Sequence, residues 1–156
     1  MAKISFKSVG ETQDSEKFKS SKTYDEPYGI RTPLQRGIGE LFIMSTDMRE
    51  QVSDNLKNLI LTNAGERLGN YSFGADLRPL LSENLAKDDF DLQAMTKIKN
   101  SVKYFMPYVE LNNFESKKGT IDPIIGSAGT IISITYSVNS IALSNRKIVI
   151  TLLPIA

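Results

Sequence analysis

The apolar residues of this chain change their spacing around Pro107. Before that residue, two segments repeat apolar positions every three or four residues, the period of a helix that buries one face. After it, apolar and polar residues alternate, as they do in a strand with one buried face. Helices that come first and strands that follow indicate an α+β domain. We therefore predict two main helices packed on a small, mostly antiparallel sheet.

The first helical segment begins with a capping pattern. Asp47 can accept hydrogen bonds from the first turn, and Glu50, three positions later, can reach back to it. Apolar residues then recur at helical spacing, at Met48, Val52, Leu56, Leu59 and Ile60. We expect this helix to end near residues 63–65, with Gly65 closing it in a left-handed conformation.

The second helical segment begins with the acidic residues Asp88, Asp89 and Asp91, which suit the positive end of a helix dipole. One stripe follows, formed by Leu92, Met95, Ile98, Val102 and Phe105. Between the two helices, Pro79 is expected to start or kink a short apolar segment that contains Leu77, Leu80, Leu81 and Leu85.

Three strands are predicted at residues 109–114, 130–138 and 147–153. Ser144 and Asn145 favour a reversal, so the last two strands should pair as an antiparallel hairpin. The middle strand alternates Ile132, Ile134, Tyr136 and Val138 with polar residues. The terminal strand is apolar on both faces, and two helices cover one face of a small sheet. We expect Ile148, Ile150 and Leu152 to face the core, and Val149, Thr151 and Leu153 to lie on an open face.

The chain has 156 residues, a length that fits one domain with a real core. Residues 1–26 are rich in Ser, Lys, Glu and Asp and carry few apolar residues. We predict that they form an N-terminal arm that a partner orders. Residues 27–156 are predicted to form the single domain.

The composition excludes several kinds of site. The chain has no Cys and no His, which removes disulfides, thiol nucleophiles, Ser-His-Asp triads and the usual zinc sites. Its formal net charge of +1 gives little support to nucleic-acid binding. No apolar run approaches the roughly 20 residues that span a bilayer. We expect no cofactor, no metal and no membrane insertion.

Carboxylate chemistry stays open, because glycoside hydrolysis can run on two acidic residues without His. Glu66 with Asp76, or Glu40 with Asp47, are the candidate pairs. With 18 acidic residues in the chain, such pairs arise easily. A structural interpretation is simpler, since Asp47 can cap a helix and Glu66 can pair with Arg67 or a nearby N–H. We therefore predict a protein that is not an enzyme, with a polysaccharide hydrolase or a general protein-binding module as alternatives.

Two short segments carry a resemblance to a known family. Leu-Thr-Asn-Ala-Gly-Glu-Arg stands at residues 61–67 and Ser-Phe-Gly-Ala-Asp-Leu at residues 72–77, and upstream stand Gly29, Ile30 and Pro33-Leu34. From Gly29 onward, the chain resembles the phage baseplate wedge and sheath-initiator family of contractile tails. Relatives of that family occur in type VI secretion, and it was at one time labelled lysozyme-like.

The resemblance implies a structural subunit of the virion tail baseplate, assembled in the host cytoplasm as a sixfold ring around the tail tube. Its partners would be the tail sheath protein and other wedge and hub-proximal subunits. It would nucleate the sheath by strand addition. The family often carries Glu-Pro-Arg after the second helix, where this chain has Met106, Pro107 and Tyr108, which implies an apolar docking contact. The predicted partner-binding residues are Met106, Pro107, Tyr108, Glu66, Arg67, Val149, Thr151 and Leu153.

Overall fold

The computed structural model of the protein describes residues 27–37, 41–83, 87–122 and 127–153. In chain order, its helices and strands are β1 (Gly29–Ile30), β2 (Met44–Ser45), α1 (Met48–Leu61), α2 (Arg78–Ser82), α3 (Lys87–Phe105), β3 (Glu110–Asp122), β4 (Ser127–Val138), a short 3-10 helix (Asn139–Ile141) and β5 (Leu143–Leu152). The predicted α+β class is confirmed. The predicted arm at 1–26 lies outside the described residues, as do Glu40 and Leu85, and the domain boundaries stay a prediction.

The main sheet is an antiparallel meander in the order β3-β4-β5. The predicted hairpin of the last two strands is confirmed, with Ile132 opposite Ile150 and Ile134 opposite Ile148. The predicted alternation in β4 is confirmed as well, since Ile132, Ile134, Tyr136 and Val138 are all buried. β3 continues well beyond the predicted 109–114, since residues 115–118 also pair with β4. The sequence did not predict this extension, because residues 115–118 are polar and show no apolar alternation.

The predicted reversal at Ser144 and Asn145 is wrong. The chain turns earlier, through the 3-10 helix and Ala142, which has φ 51°. Ser144 and Asn145 instead form a bulge in β5, because Tyr136 pairs with Arg146 while Val138 pairs with Leu143. Asn145 has φ 49°. Asn tolerates this left-handed conformation in turns and in bulges alike, so the residue type alone does not distinguish them.

A second bulge lies at the same end of the sheet, where Asn112 of β3 is the extra residue between Leu111 and Asn113. Its side-chain amide donates to Ser137 Oγ at 2.7 Å and to Asn145 Oδ1 at 2.9 Å. Asn145 N also donates to Ser137 Oγ, at 3.1 Å. Polar side chains therefore tie all three strands together at this end.

The predicted N-cap of α1 is confirmed, since Asp47 accepts from Arg49 N at 2.8 Å. The reciprocal contact of Glu50 is not formed. Its carboxylate instead accepts from Arg146 Nη2 of β5 at 2.6 Å, and this hydrogen bond lowers the pKa of Glu50. A tertiary contact has replaced a local one, and it fastens α1 to β5.

The C-terminal end of α1 also differs from the prediction. The helix ends at Leu61, and Thr62 caps it by donating its N–H to the carbonyl oxygen of Asn58. Gly65 has the expected positive φ, 87°, but it lies in the loop that follows, where its N–H donates to the carbonyl oxygen of Tyr71. As predicted, Pro79 stands in the first turn of a new helix, α2.

The buried stripe of α3 is shifted from the predicted one. Phe90, Ala94, Ile98 and Val102 are buried, whereas Leu92 and Met95 are 62% and 44% exposed. The sheet has three strands, and α3 shares its inner face with α1, so the sheet covers only part of the apolar surface of the helix. Ser116 of β3 donates a hydrogen bond to Asp91 of α3, which ties the helix to this strand.

Residues ahead of α1 pack against its outer side. β1 pairs with β2, and Thr32 N donates to Asp54 Oδ2 of α1 at 2.9 Å. The Gln51 side chain packs against Gly29, at a distance that leaves no room for a Cβ atom there. Within the described ranges, no helix has the length and apolarity that crossing a membrane requires.

Candidate functional site

The loop at residues 62–77, which we call the docking loop after the role predicted for it, connects α1 to α2 and contains most of the segments that carry the resemblance. Glu66 closes it, because its carboxylate accepts from Asn63 N and Asn63 Nδ2, each at 2.8 Å, and from Arg78 Nη1 at 3.2 Å. The hydrogen bonds from Asn63 hold the pKa of Glu66 below its usual value, and the Arg78 charge adds to that effect. Glu66 therefore acts as a local brace that stays ionised.

Gly74 is the tightest point of the docking loop. It has φ 125°, and a Cβ atom at this position would lie 2.3 Å from the carbonyl oxygen of Thr62. The Gly74 carbonyl accepts from Ser101 Oγ of α3 at 2.8 Å, and Ala75 N donates to the Leu59 carbonyl at 3.0 Å. The loop thus returns against the end of α1 and is fastened to α3, so it is a fixed surface.

Asp76 gives the docking loop a further contact with α3. It has φ 52°, and Lys97 Nζ of α3 donates to its carbonyl oxygen at 2.8 Å and to its Oδ2 at 3.0 Å. Three of the four carboxylates named as catalytic candidates therefore have structural partners: Glu66 holds the docking loop, Asp76 pairs with Lys97, and Asp47 caps α1, while Glu40 lies outside the described residues. In the described part of the chain, no group of three or more acidic residues could hold a metal ion.

Beside the loop lies the docking groove, with a volume of about 620 Å³. It is lined by Asn55, Asn58, Thr62, Glu66, Arg67, Phe73, Phe105, Met106 and Tyr108. The groove brings together four predicted partner-binding residues from distant parts of the sequence, Glu66 and Arg67 on one side and Met106 and Tyr108 on the other, whereas Pro107 is not among its lining residues. The link is aromatic, since Phe73 of the loop meets Phe105 at the end of α3 with ring centroids 5.0 Å apart.

Arg67 stands over the Phe73 ring at 4.3 Å, a cation–π geometry. It makes no ion pair with any other described residue. No sequence pattern indicates this stacking, or the two amides, Asn55 and Asn58, that also line the groove. Their surface exposure on α1 is the only feature that could have suggested them.

The three residues of the predicted docking triplet have different environments. Met106 is 5% exposed and belongs to the hydrophobic core, Pro107 is exposed, and Tyr108 is 47% exposed. Partial burial raises the pKa of the Tyr108 hydroxyl, which is therefore neutral and available as a hydrogen-bond donor. Only Pro107 and Tyr108 present substantial surface, with Met106 as part of the groove floor.

The terminal strand separates its two faces as its alternation predicts. Ile148, Ile150 and Leu152 are buried, and Val149, Thr151 and Leu153 are exposed. On the outer face, Val149 lies opposite Ser133 and Thr151 opposite Ile131. Both helices pack on the inner face, so in the described ranges this outer face has no covering layer. Whether these residues and the groove bind partners stays a prediction.

The chain matches no family profile, and no curated protein matches its sequence. Its fold is similar to that of solved structures. A protein from Geobacter sulfurreducens, named as a candidate tail lysozyme, superposes with a TM-score of 0.54 at 16% identity, over 73% of this chain and 96% of the other. A chain of the anti-feeding prophage baseplate, solved by cryo-EM with six-fold symmetry, gives a TM-score of 0.52 at 16% identity, over 81% of this chain and 85% of the other.

Proposed function

We propose that this chain is a structural baseplate subunit of a contractile phage tail, which links wedge components and nucleates the sheath by strand addition. The observation that carries the proposal is the shared fold with a chain of a six-fold baseplate, which extends over 85% of that chain. The resemblance of the docking loop to the wedge and sheath-initiator family supports it independently. In this proposal, copies form a sixfold ring in the virion tail.

The docking groove is the proposed contact with other wedge subunits. Tyr and Arg are the residues that most often dominate binding energy at interfaces, and Tyr108 and Arg67 both line this groove. The hydrogen bonds of Glu66 and the close approach of Gly74 to Thr62 hold the docking loop in one conformation, so little conformational entropy is lost on binding. An apolar partner side chain would pack beside Tyr108, and a polar one would meet the amides of Asn55 and Asn58.

Replacing Tyr108 by Ala tests this contact. We expect Tyr108→Ala to weaken incorporation into baseplates by about tenfold or more. The side chain is half exposed, so the melting temperature should fall by less than about 4 °C. The measurements are a pull-down with the wedge proteins of the same tail and a thermal melt. Tyr28→Ala is the matched control, since Tyr28 is exposed and lies outside both the docking loop and the docking groove. If assembly and stability fall equally, or stability alone falls, Tyr108 contributes to packing within the chain and not to a partner contact.

The free edge of β5 is the proposed template for the first sheath ring. β5 is the last strand of the sheet, so alternate N–H and C=O groups on its outer side have no strand partner within the described residues. An added sheath strand would take these hydrogen bonds, and its side chains would meet Val149, Thr151 and Leu153 on the open face.

A carboxylate-dependent hydrolase is the second candidate, because one structural neighbour is named as a candidate tail lysozyme. The general acid of a glycosidase needs a raised pKa, whereas the pKa of Glu66 is lowered. We therefore expect the purified protein to release no fragments from peptidoglycan. Comparing the wild type with Glu66→Gln makes the assay decisive. Turnover in the wild type that disappears in a folded Glu66→Gln variant would establish the enzyme instead.

A further inference from the structure

A second groove, here called the edge groove, opens between α3 and the outer side of β3. Its volume is about 360 Å³. It is lined by Met95, Ile98, Lys99, Val102, Lys103, Pro107, Val109, Leu111, Asn112, Asn113, Phe114 and Ile134. The lining is mainly apolar, with Lys99 and Lys103 as its two charged residues. This groove is distinct from the docking groove and contains none of the exposed residues of β5.

The apolar surface of α3 extends further than the sheet that covers it. Ile98 and Val102 are buried beneath the sheet, while Met95 on the groove side is 44% exposed and Leu92, one turn earlier, is more exposed still. A helix with one buried face normally turns polar residues to solvent at these positions. A fourth strand, added beside β3, would lie above this part of the helix and cover Met95.

The backbone of β3 can accept such a strand. Within the described residues, β3 pairs only with β4, so its other edge carries alternate N–H and C=O groups without a strand partner. The bulge at Asn112 interrupts the regular ladder near the start of β3. Regular pairing is therefore available from Phe114 to Lys117. Unpaired backbone groups beside an apolar groove fit a peptide better than a lipid, because a hydrocarbon chain satisfies no N–H group.

Charge defines the partner further. Lys99 and Lys103 are exposed, stand one turn apart on α3, and form no ion pair with any other residue that the structure describes. Their separation of four residues along the helix is about 6 Å, which is close to the spacing of alternate side chains on a strand, at about 6.6 Å. Successive inward side chains of an added strand would therefore face Met95, Lys99 and Lys103 in turn.

We propose that an extended acidic segment of another protein adds to β3 as a fourth strand. Its inward side chains begin with apolar residues that fill the edge groove beside Met95, and continue with Glu or Asp residues whose carboxylates reach Lys99 and Lys103. Main-chain hydrogen bonds along residues 114–117 supply binding that does not depend on sequence, and the groove and the lysines supply specificity. The proposal does not depend on the identity of the assembly in which the chain works.

A synthetic peptide tests the proposal on the full-length chain. The probe is an octapeptide with alternating inward residues, Thr-Ile-Thr-Ile-Thr-Glu-Thr-Glu, made also in reversed order because either strand direction is possible. We expect titration to shift the Met95 methyl resonance and to slow hydrogen exchange of β3 amides between residues 114 and 117. The matched control peptides carry Lys in place of both Glu residues, or Pro in place of the third Thr.

Protein variants separate the parts of the site. Lys99→Glu with Lys103→Glu should weaken the acidic peptide by about tenfold, given the modest strength of exposed ion pairs, and should favour the Lys peptide. Arg49→Glu with Lys57→Glu makes the same change in net charge on α1 and should leave binding unchanged. The proposal is overturned if the Pro peptide binds equally well or the charge variants behave alike. It is overturned too if the shifts appear at Val149 on β5, or if the free chain already shows contacts between Met95 and its own residues 1–26.

Discussion

Ile150→Asp is expected to unfold the protein, whereas Val149→Asp, at the neighbouring position, is expected to leave it folded. Ile150 is 4% exposed and lies opposite Ile132 in the core, so an Asp there is a buried charge without a partner. The free energy of unfolding should fall by more than about 4 kcal/mol. Val149 is 54% exposed on the outer face, where the same substitution should cost about 1 kcal/mol through lower strand propensity.

The same pair of variants tests the proposed sheath template. Val149→Asp places a charge beside the β5 edge, and we expect it to abolish co-sedimentation with the sheath protein while the thermal melt remains cooperative. Val149→Thr keeps the β-branched shape without a charge and should sediment normally, which makes it the control. If Val149→Asp unfolds the chain as severely as Ile150→Asp, the outer face is part of the core. If it assembles normally, the template for the sheath lies elsewhere.

Gly74→Ala is expected to be the most damaging substitution in the docking loop. The added Cβ would approach the Thr62 carbonyl oxygen to 2.3 Å, and a φ of 125° is strained for any residue with a side chain. Relief would require moving the loop away from Ser101, whose hydroxyl donates to the Gly74 carbonyl. We expect a loss of more than about 3 kcal/mol in a urea denaturation experiment.

Gly69→Ala is the matched control for that experiment. Gly69 also has a positive φ, 79°, but nothing lies within 4 Å of the Cβ that Ala would add. Its cost should be that of the left-handed conformation alone, about 1 kcal/mol. Similar losses for the two variants would show that backbone conformation, and not the close approach to Thr62, makes Gly74 necessary.

Local periodicity was sufficient to predict the two main helices and the three strands of the main sheet, although not their exact bounds. The alternation at Ile132, Ile134 and Tyr136 predicts both the strand and its buried face, and Asp47 predicts the start of α1. Two of the errors occur where the contacts of a residue depend on a distant part of the chain. Glu50 has a local role available in the cap, but Arg146, far along the chain, takes its carboxylate. Likewise, the exposure of Met95 depends on the number of strands in the sheet, which the sequence of α3 does not specify.

The candidate site was predictable in its parts but not in its assembly. The segments around Glu66 and Tyr108 could be selected from the sequence, and the groove between them could not. It exists because Phe73 packs on Phe105, a contact between a loop and a helix end that no spacing rule encodes. The role of Glu66 was predictable in part, since the expected contact with a nearby N–H is formed by Asn63, whereas its charged partner is Arg78 and not the adjacent Arg67.

The two bulges at one end of the sheet define where pairing with an added strand can begin on each of its edges. Along a uniform strand edge, an incoming strand can slip by two residues and keep the same side chains on each face. Asn112 interrupts the ladder on β3 and Asn145 on β5, and their shared contact with Ser137 holds both interruptions at the same height. We expect a strand added to either edge to begin pairing from this level and no earlier. Every copy of the chain would then hold its partner strands in the same register, at the same height along the strand direction.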